Sequence, residues 1–266
     1  MNNRVKRTVL TLSVFAALGA LTSQASAVDS EEIKVGLSYK NYQLKEDFST
    51  GGGRITGSGS VDSWSVQYLG LTARYKDFFV LFTPALSQTK NISQLLTPSV
   101  GASRSFTFTK TRNEYDVGFG YYVTKNVAVT GGIKTLQYDT DRGPALNFAN
   151  TSSCQTKYTI PMLGISGGYS FENNWFVYGN ANLGVNGSTL DNCNWYRDTG
   201  VQVSNYTGKP SYQNLEGGVG YNINKNFTAT LGYRSLQLKQ GISVPLGGGD
   251  TTNKIYGLGA GIIYNF

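Results

Sequence analysis

The chain has 266 residues, 23 Lys and Arg against 16 Asp and Glu, and no histidine. Charged residues make up 15 % and hydrophobic ones 39 %, with 33 Gly, 18 Tyr and 13 Phe, which excludes a disordered polyelectrolyte. No apolar run reaches the ~18 residues a spanning helix requires, so a helical membrane protein is excluded too.

At the start, Arg4, Lys6 and Arg7 precede "VLTLSVFAALGAL" and then "SQASA". A basic region, an apolar stretch too short to span and an A-x-A site at Ala25-Ser26-Ala27 describe a secretory signal peptide over 1–27, leaving 28–266 as one domain. Its removal brings the formal charge from +7 to +4. The remaining basic residues are scattered, so no stripe or module for nucleic acid is present.

Apolar and polar or small residues then alternate in ten segments: 33–42, 64–75, 78–87, 113–123, 127–138, 158–171, 175–185, 212–223, 227–238 and 254–266. Each is near the length of a tilted membrane strand. The segment 78–87 gives no clear facing, and Pro84 sits inside it. The links alternate. Short ones fall at 76–77, 124–126, 172–174 and 224–226; long ones, rich in Gly, Ser, Asn and Thr, fall at 43–60, 88–104, 139–157, 186–210 and 239–252. Short turns on one side and long loops on the other predict an all-β, closed antiparallel transmembrane β-barrel. It is an up-and-down meander of about ten strands, within roughly 8–12, with both termini on the short-turn side, in the periplasm.

The chain closes on "YGLGAGIIYNF" (256–266), with Tyr256, Leu258, Ala260, Ile262, Tyr264 and Phe266 on one face and Gly257, Gly259 and Gly261 on the other. A terminus normally frays; here closure against the first strand would leave no edge. In this alternation and its Tyr264-Asn265-Phe266 ending, the chain resembles bacterial outer-membrane β-barrel proteins, small surface-antigen-like barrels among them. The resemblance implies that Tyr264 and Phe266 are read by the barrel insertion machinery, and that lipid and lipopolysaccharide surround the protein.

Two hairpins repeat at an offset of 100 residues: Asp116, Gly118, Gly120, Tyr121, Lys125, Asn126, Thr130, Gly132, Lys134, Leu136 and Gln137 recur as Glu216, Gly218, Gly220, Tyr221, Lys225, Asn226, Thr230, Gly232, Arg234, Leu236 and Gln237. If Tyr121 and Tyr221 face lipid, the period of two puts Asp116, Lys134, Glu216 and Arg234 inside, Asp116 near Lys134 and Glu216 near Arg234. A lipid-facing charge at mid-depth would cost a few kcal/mol. Lys34, Arg74, Arg112 and Glu114 are further inward candidates. A third hairpin, 158–185, carries neutral Gly164 and Asn182 in place of the pair, and its inward face reads Phe176, Tyr178, Asn180, Asn182, Gly184.

Enzymes built on such barrels, the omptin proteases among them, resemble this chain in outline but rely on histidine. A general base poised near neutral pH is most readily a histidine, and this chain has none. No catalytic residue, cofactor or metal site is expected. The glycine triplets at 51–53 and 247–249 precede no helix and read as flexible loop. Cys154 and Cys193, an even pair in an exported chain, predict a disulfide between two long outer loops. Phe148, Tyr158, Trp195, Tyr196 and Tyr206 fall in or beside those loops and suit a contact surface. Two functions remain: a non-enzymatic barrel presenting its loops to a surface ligand of unknown identity, or a narrow channel for ions or small polar solutes.

Overall fold

The computed structural model describes residues 33–51, 55–98, 104–144, 151–197, 200–242 and 249–266. The signal peptide expected at 1–27, Phe148 and parts of both glycine triplets lie outside the described residues. The segments are β1 (Lys34–Gly51), β2 (Ile55–Tyr75), β3 (Phe78–Pro84), β4 (Gln88–Pro98), β5 (Arg104–Thr124), β6 (Val127–Pro144) and β7 (Thr151–Ser170). They continue as β8 (Trp175–Gly184), β9 (Ser188–Arg197), β10 (Gly200–Gly208), β11 (Ser211–Asn222), β12 (Phe227–Ile242) and β13 (Gly249–Asn265).

Three barrel strands are broken into two segments each. β3 and β4 both lie between β2 and β5. β8 and β9 both pair with β7, and β10 and β11 continue the next strand. Every pairing is antiparallel, β1 pairs β13, and β8 pairs both β7 and β11. The ring is therefore closed: a ten-stranded up-and-down barrel, built from the ten predicted segments. The break after β3 falls at Pro84, which has no N–H for the ladder. Its neighbour Ala85 makes an isolated bridge to Tyr68 and donates its N–H to Glu114 O (2.8 Å). Phe78, Val80 and Phe82 face out and Phe79, Leu81 and Thr83 face in. Both faces are largely apolar there, so alternation was invisible.

The short turns are set by local chemistry. At 125–126, Thr124 Oγ1 accepts from the backbone N–H groups of Asn126 (3.2 Å) and Val127 (3.1 Å). Its repeat equivalent uses Asn224 Oδ1, which accepts from Asn226 and Phe227 at 2.9 Å each. Such side-chain acceptors replace a backbone turn. Lys76 and Asn174 adopt positive φ at the two other short turns. The C-terminus is held on both sides: Phe266 N–H donates to Val35 O (3.0 Å) and Asn226 Nδ2 to Asn265 O (2.6 Å).

The long links are mostly not loops. β2 and β5 run 21 residues each, where a tilted strand needs about 9–11 to cross the hydrocarbon. Most of 43–60, 88–104, 139–157, 186–210 and 239–252 thus continues the sheet beyond the membrane. The cause is a reversal of facing polarity along single strands. Low on β13, Leu258 and Ile262 point outward, opposite inward glycines; higher up, Ile255 points inward and Lys254 outward. On β1 the switch lies between outward Leu37 and Tyr39 and inward Tyr42 and Leu44. Around the ring, Phe119, Leu163, Leu215, Leu231 and Leu258 are all more than half exposed. An apolar belt around a closed sheet is satisfied by lipid, and above it the outer face meets polar surroundings.

Candidate functional site

The barrel interior concentrates the buried charge, and it is filled at three levels. Nearest the short turns, Phe79, Leu81, Tyr122 and Ala128 form one apolar cluster, and Phe176, Tyr178 and Ile263 another. Glycines make room for them. A Cβ at Gly120 would lie 2.2 Å from the Phe79 ring, and one at its repeat equivalent Gly220 would lie 2.0 Å from Phe176. Arg74, half-buried, stacks 4.4 Å from the centre of the Tyr122 ring.

The middle level is ionic. Asp116 and Lys134 are directly opposite on β5 and β6, both buried, with Lys134 Nζ 2.9 Å from Asp116 Oδ1. Glu216 and Arg234 are likewise opposite on β11 and β12 and buried. Here the expected ion pair is corrected. Glu216 Oε1 takes Lys40 Nζ at 3.0 Å and Tyr42 Oη at 2.6 Å. Arg234 reaches Glu114 Oε1 at 3.3 Å with Nη2 and donates to Asn214 Oδ1 (3.1 Å) with Nε. Glu114 is the hub. It also accepts from Arg112, Lys134 and, at 3.0 Å, Tyr68 Oη. Of the further inward candidates, Arg112 and Glu114 join this network, and Lys34 stands opposite Arg74 nearer the turns.

The third hairpin joins through amides. Asn180 Oδ1 accepts from Asn182 Nδ2 (3.0 Å) and Asn214 Nδ2 (3.3 Å), and Asn182 Oδ1 accepts from Thr130 Oγ1 (3.3 Å). The inward glycines of β13 are the floor on which β1 lays its side chains: a Cβ at Gly259 would lie 2.4 Å from Tyr42, and one at Gly261 2.6 Å from Lys40.

The level farthest from the short turns is apolar with a second ionic knot. Leu44, Trp64, Ile92, Leu136, Tyr138, Tyr158, Leu236 and Ile255 belong to its core. Within it Glu46 accepts from Trp64 Nε1 (2.8 Å) and Lys110 Nζ (2.7 Å). Tyr158 lies buried here, bonded to Gln240 Oε1 at 2.8 Å, and so contributes nothing to an outer contact surface. The side chains of Trp195, Tyr196 and Tyr206 lie outside the described residues. Lys40, Glu46 and Lys110 were missed by the sequence reading. Lys40 carried a signal, a charge at an inward position beside outward Leu37 and Tyr39; Glu46 and Lys110 carried none, because the outer face beside them, Lys45 and Asp47 or Thr109 and Thr111, is polar too.

Cys154 and Cys193 form a disulfide. It does not tie two loops, as the sequence suggested: the cysteines are cross-strand partners on β7 and β9, Cα atoms 4.2 Å apart. Tyr264 and Phe266 lie on the outward face, their rings 4.8 Å apart, with Phe227 stacked on Tyr264.

No family model matches the chain, and no curated protein matches it. Among solved structures it is similar to the outer membrane protease OmpT of Escherichia coli, at TM-score 0.70 and 11 % identity over 92 % of this chain and 100 % of that one. The translocator domain of the autotransporter NalP of Neisseria meningitidis aligns at TM-score 0.41 and 11 % identity, over 90 % of each chain. Ail, the attachment invasion locus protein of Yersinia pestis, aligns at TM-score 0.32 and 11 % identity, over 88 % of this chain and 99 % of that one. The likeness is one of fold. The fold is that of bacterial outer-membrane β-barrels, which supports an outer-membrane location.

Proposed function

We propose that this chain is a non-enzymatic integral outer-membrane barrel whose interior is a solid plug and whose outer end, with its extended strands and connecting loops, presents a surface to other molecules. The observation that carries this reading is the filling of the interior over its height. Phe176, Lys134, Tyr68, Glu46, Trp64 and Ile160 are each at most 1 % exposed, from the turn end to the outer end. A barrel of this size closes readily with side chains, and open aqueous pores come with far more strands. The absence of histidine separates this chain from the barrel enzymes it resembles in outline. A narrow ion path is the second reading, and it draws support from interior polar atoms without protein partners, such as Glu216 Oε2 and Arg234 Nη1.

In this reading the short turns and both termini face the periplasm, Tyr264 and Phe266 serve the insertion machinery, and lipid and lipopolysaccharide surround the belt. The ligand of the outer surface is of unknown identity, and nucleic acid is not a partner. Refolded protein in a planar bilayer is expected to be silent; reproducible conductance steps would overturn the plug. Cysteine labelling on intact cells, in a background lacking Cys154 and Cys193, should reach position 200 and not position 125.

A further inference from the structure

The charges inside the barrel do not balance. Among the described residues, the buried cations are Lys40, Lys110, Arg112, Lys134 and Arg234, and the buried carboxylates are Glu46, Glu114, Asp116 and Glu216: five against four. The next inward-facing carboxylate, Asp191, is half-buried: Oδ2 accepts from Gln240 Nε2 at 3.1 Å, and Oδ1 is itself without a protein partner. A lone excess charge in a low-dielectric interior is costly unless a counter-charge accompanies it.

The buried polar atoms without protein partners show where that counter-charge belongs. Near β11 and β12 the orphans are Glu216 Oε2 and Arg234 Nη1, on residues directly opposite each other. One accepts and the other donates, so a single water can satisfy both. Near β5 and β6 the orphans are Arg112 Nε, Arg112 Nη1 and Tyr138 Oη. Arg112 and Tyr138 are also directly opposite, both buried and both inward. Only Nη2 of Arg112 is engaged, by Glu114. The set consists of two guanidinium N–H groups and a phenol O–H, all able to donate. Lys110 Nζ lies on the same side, 3.9 Å from the centre of the Tyr138 ring, and is paired with Glu46 at 2.7 Å.

We propose that a small inorganic anion of halide size binds between Arg112 and Tyr138, held by Arg112 Nε and Nη1 and Tyr138 Oη, as a counter-charge to the buried cations. An interior packed to this degree suits a monatomic ion better than phosphate or sulfate. The site sits toward the outer end of the barrel, beside the Glu46–Lys110 knot. It stands independently of whether the outer surface binds a ligand.

Crystals of the full barrel soaked in bromide test it directly. The expected result is an anomalous peak within hydrogen-bond reach of Arg112 and Tyr138 Oη. Ordinary water density there, or no peak, would overturn the site. In solution, unfolding is followed in sodium chloride against sodium gluconate at fixed ionic strength. The wild type should gain stability with chloride. Tyr138→Phe keeps the ring and removes one donor, so it should need roughly tenfold more chloride for the same gain, the loss of one hydrogen bond to a charged group. Equal chloride dependence in the two proteins, or none in the wild type, would also overturn it.

Discussion

The hairpins β5–β6 and β11–β12 share a sequence skeleton and a register, yet they solve the same electrostatic problem differently. In the first, acid and base close on each other across the ladder, Lys134 on Asp116 at 2.9 Å. In the second they part, Glu216 to Lys40 and Arg234 to Glu114. The difference lies two residues before each acid, where the first hairpin carries Glu114 and the second Asn214. Glu114 adds a carboxylate with no base of its own opposite it, since its register partner is Leu136. It gathers Arg112, Lys134 and the long Arg234 from across the interior. Asn214 needs no counter-charge; it accepts from Arg234 Nε and donates to Asn180 Oδ1. The repeat thus fixes which side chains are neighbours on the sheet, while the net charge of the whole interior decides who pairs with whom.

The comparison breaks most sharply at Glu114. Glu114→Gln removes the carboxylate shared by Arg112, Lys134 and Arg234, and the expected loss is about 3–5 kcal/mol, as for a buried pair broken on one side. Asp116→Asn takes one partner from Lys134 but leaves it Glu114, so the expected loss is only about 1 kcal/mol. Urea unfolding of the refolded barrel measures both; equal losses would mean that the hub is not a hub.

Cys154 and Cys193 offer a smaller test, on the part of β7 and β9 away from the short turns. Reduction, or replacement of both by serine, should cost at most ~3–4 kcal/mol in the chain-entropy view. The barrel should still form, because the two strands are already paired in register around the disulfide. Heat-modifiable migration on a gel, with and without reductant, reads the outcome. Loss of the folded form on reduction would show that the disulfide, and not the closed sheet, holds this end.

The closed barrel, its ten strands and its short turns were legible because the belt enforces strict alternation: Leu258, Ile262 and Phe266 outside, Gly257, Gly259 and Gly261 inside. Burial of Asp116, Lys134, Glu216 and Arg234 followed from the same period. What lay hidden has two physical causes. Above the belt, the inner face turns apolar and the outer face polar, so a stretch such as 43–49, with Leu44 and Phe48 inward and Gln43, Lys45 and Asp47 outward, loses the pattern that marks a strand in lipid and reads as loop. Ionic partners are chosen across the interior, over sequence separations such as the 176 residues between Lys40 and Glu216. No local period carries that information. The glycine stripe of β13 was visible as a pattern, but its purpose, to seat Tyr42 and Lys40, needed the neighbouring strand in place.

The central claim, that the interior charge balance overrides the register in choosing partners, is tested most directly by two double-mutant cycles on Arg234. One pairs Arg234→Met with Glu114→Gln, the other pairs it with Glu216→Gln, both read by urea unfolding. The account predicts a coupling of about 1–3 kcal/mol for Arg234 with Glu114 and a clearly smaller one for Arg234 with Glu216. The reverse order would contradict it and return the pairing to the register.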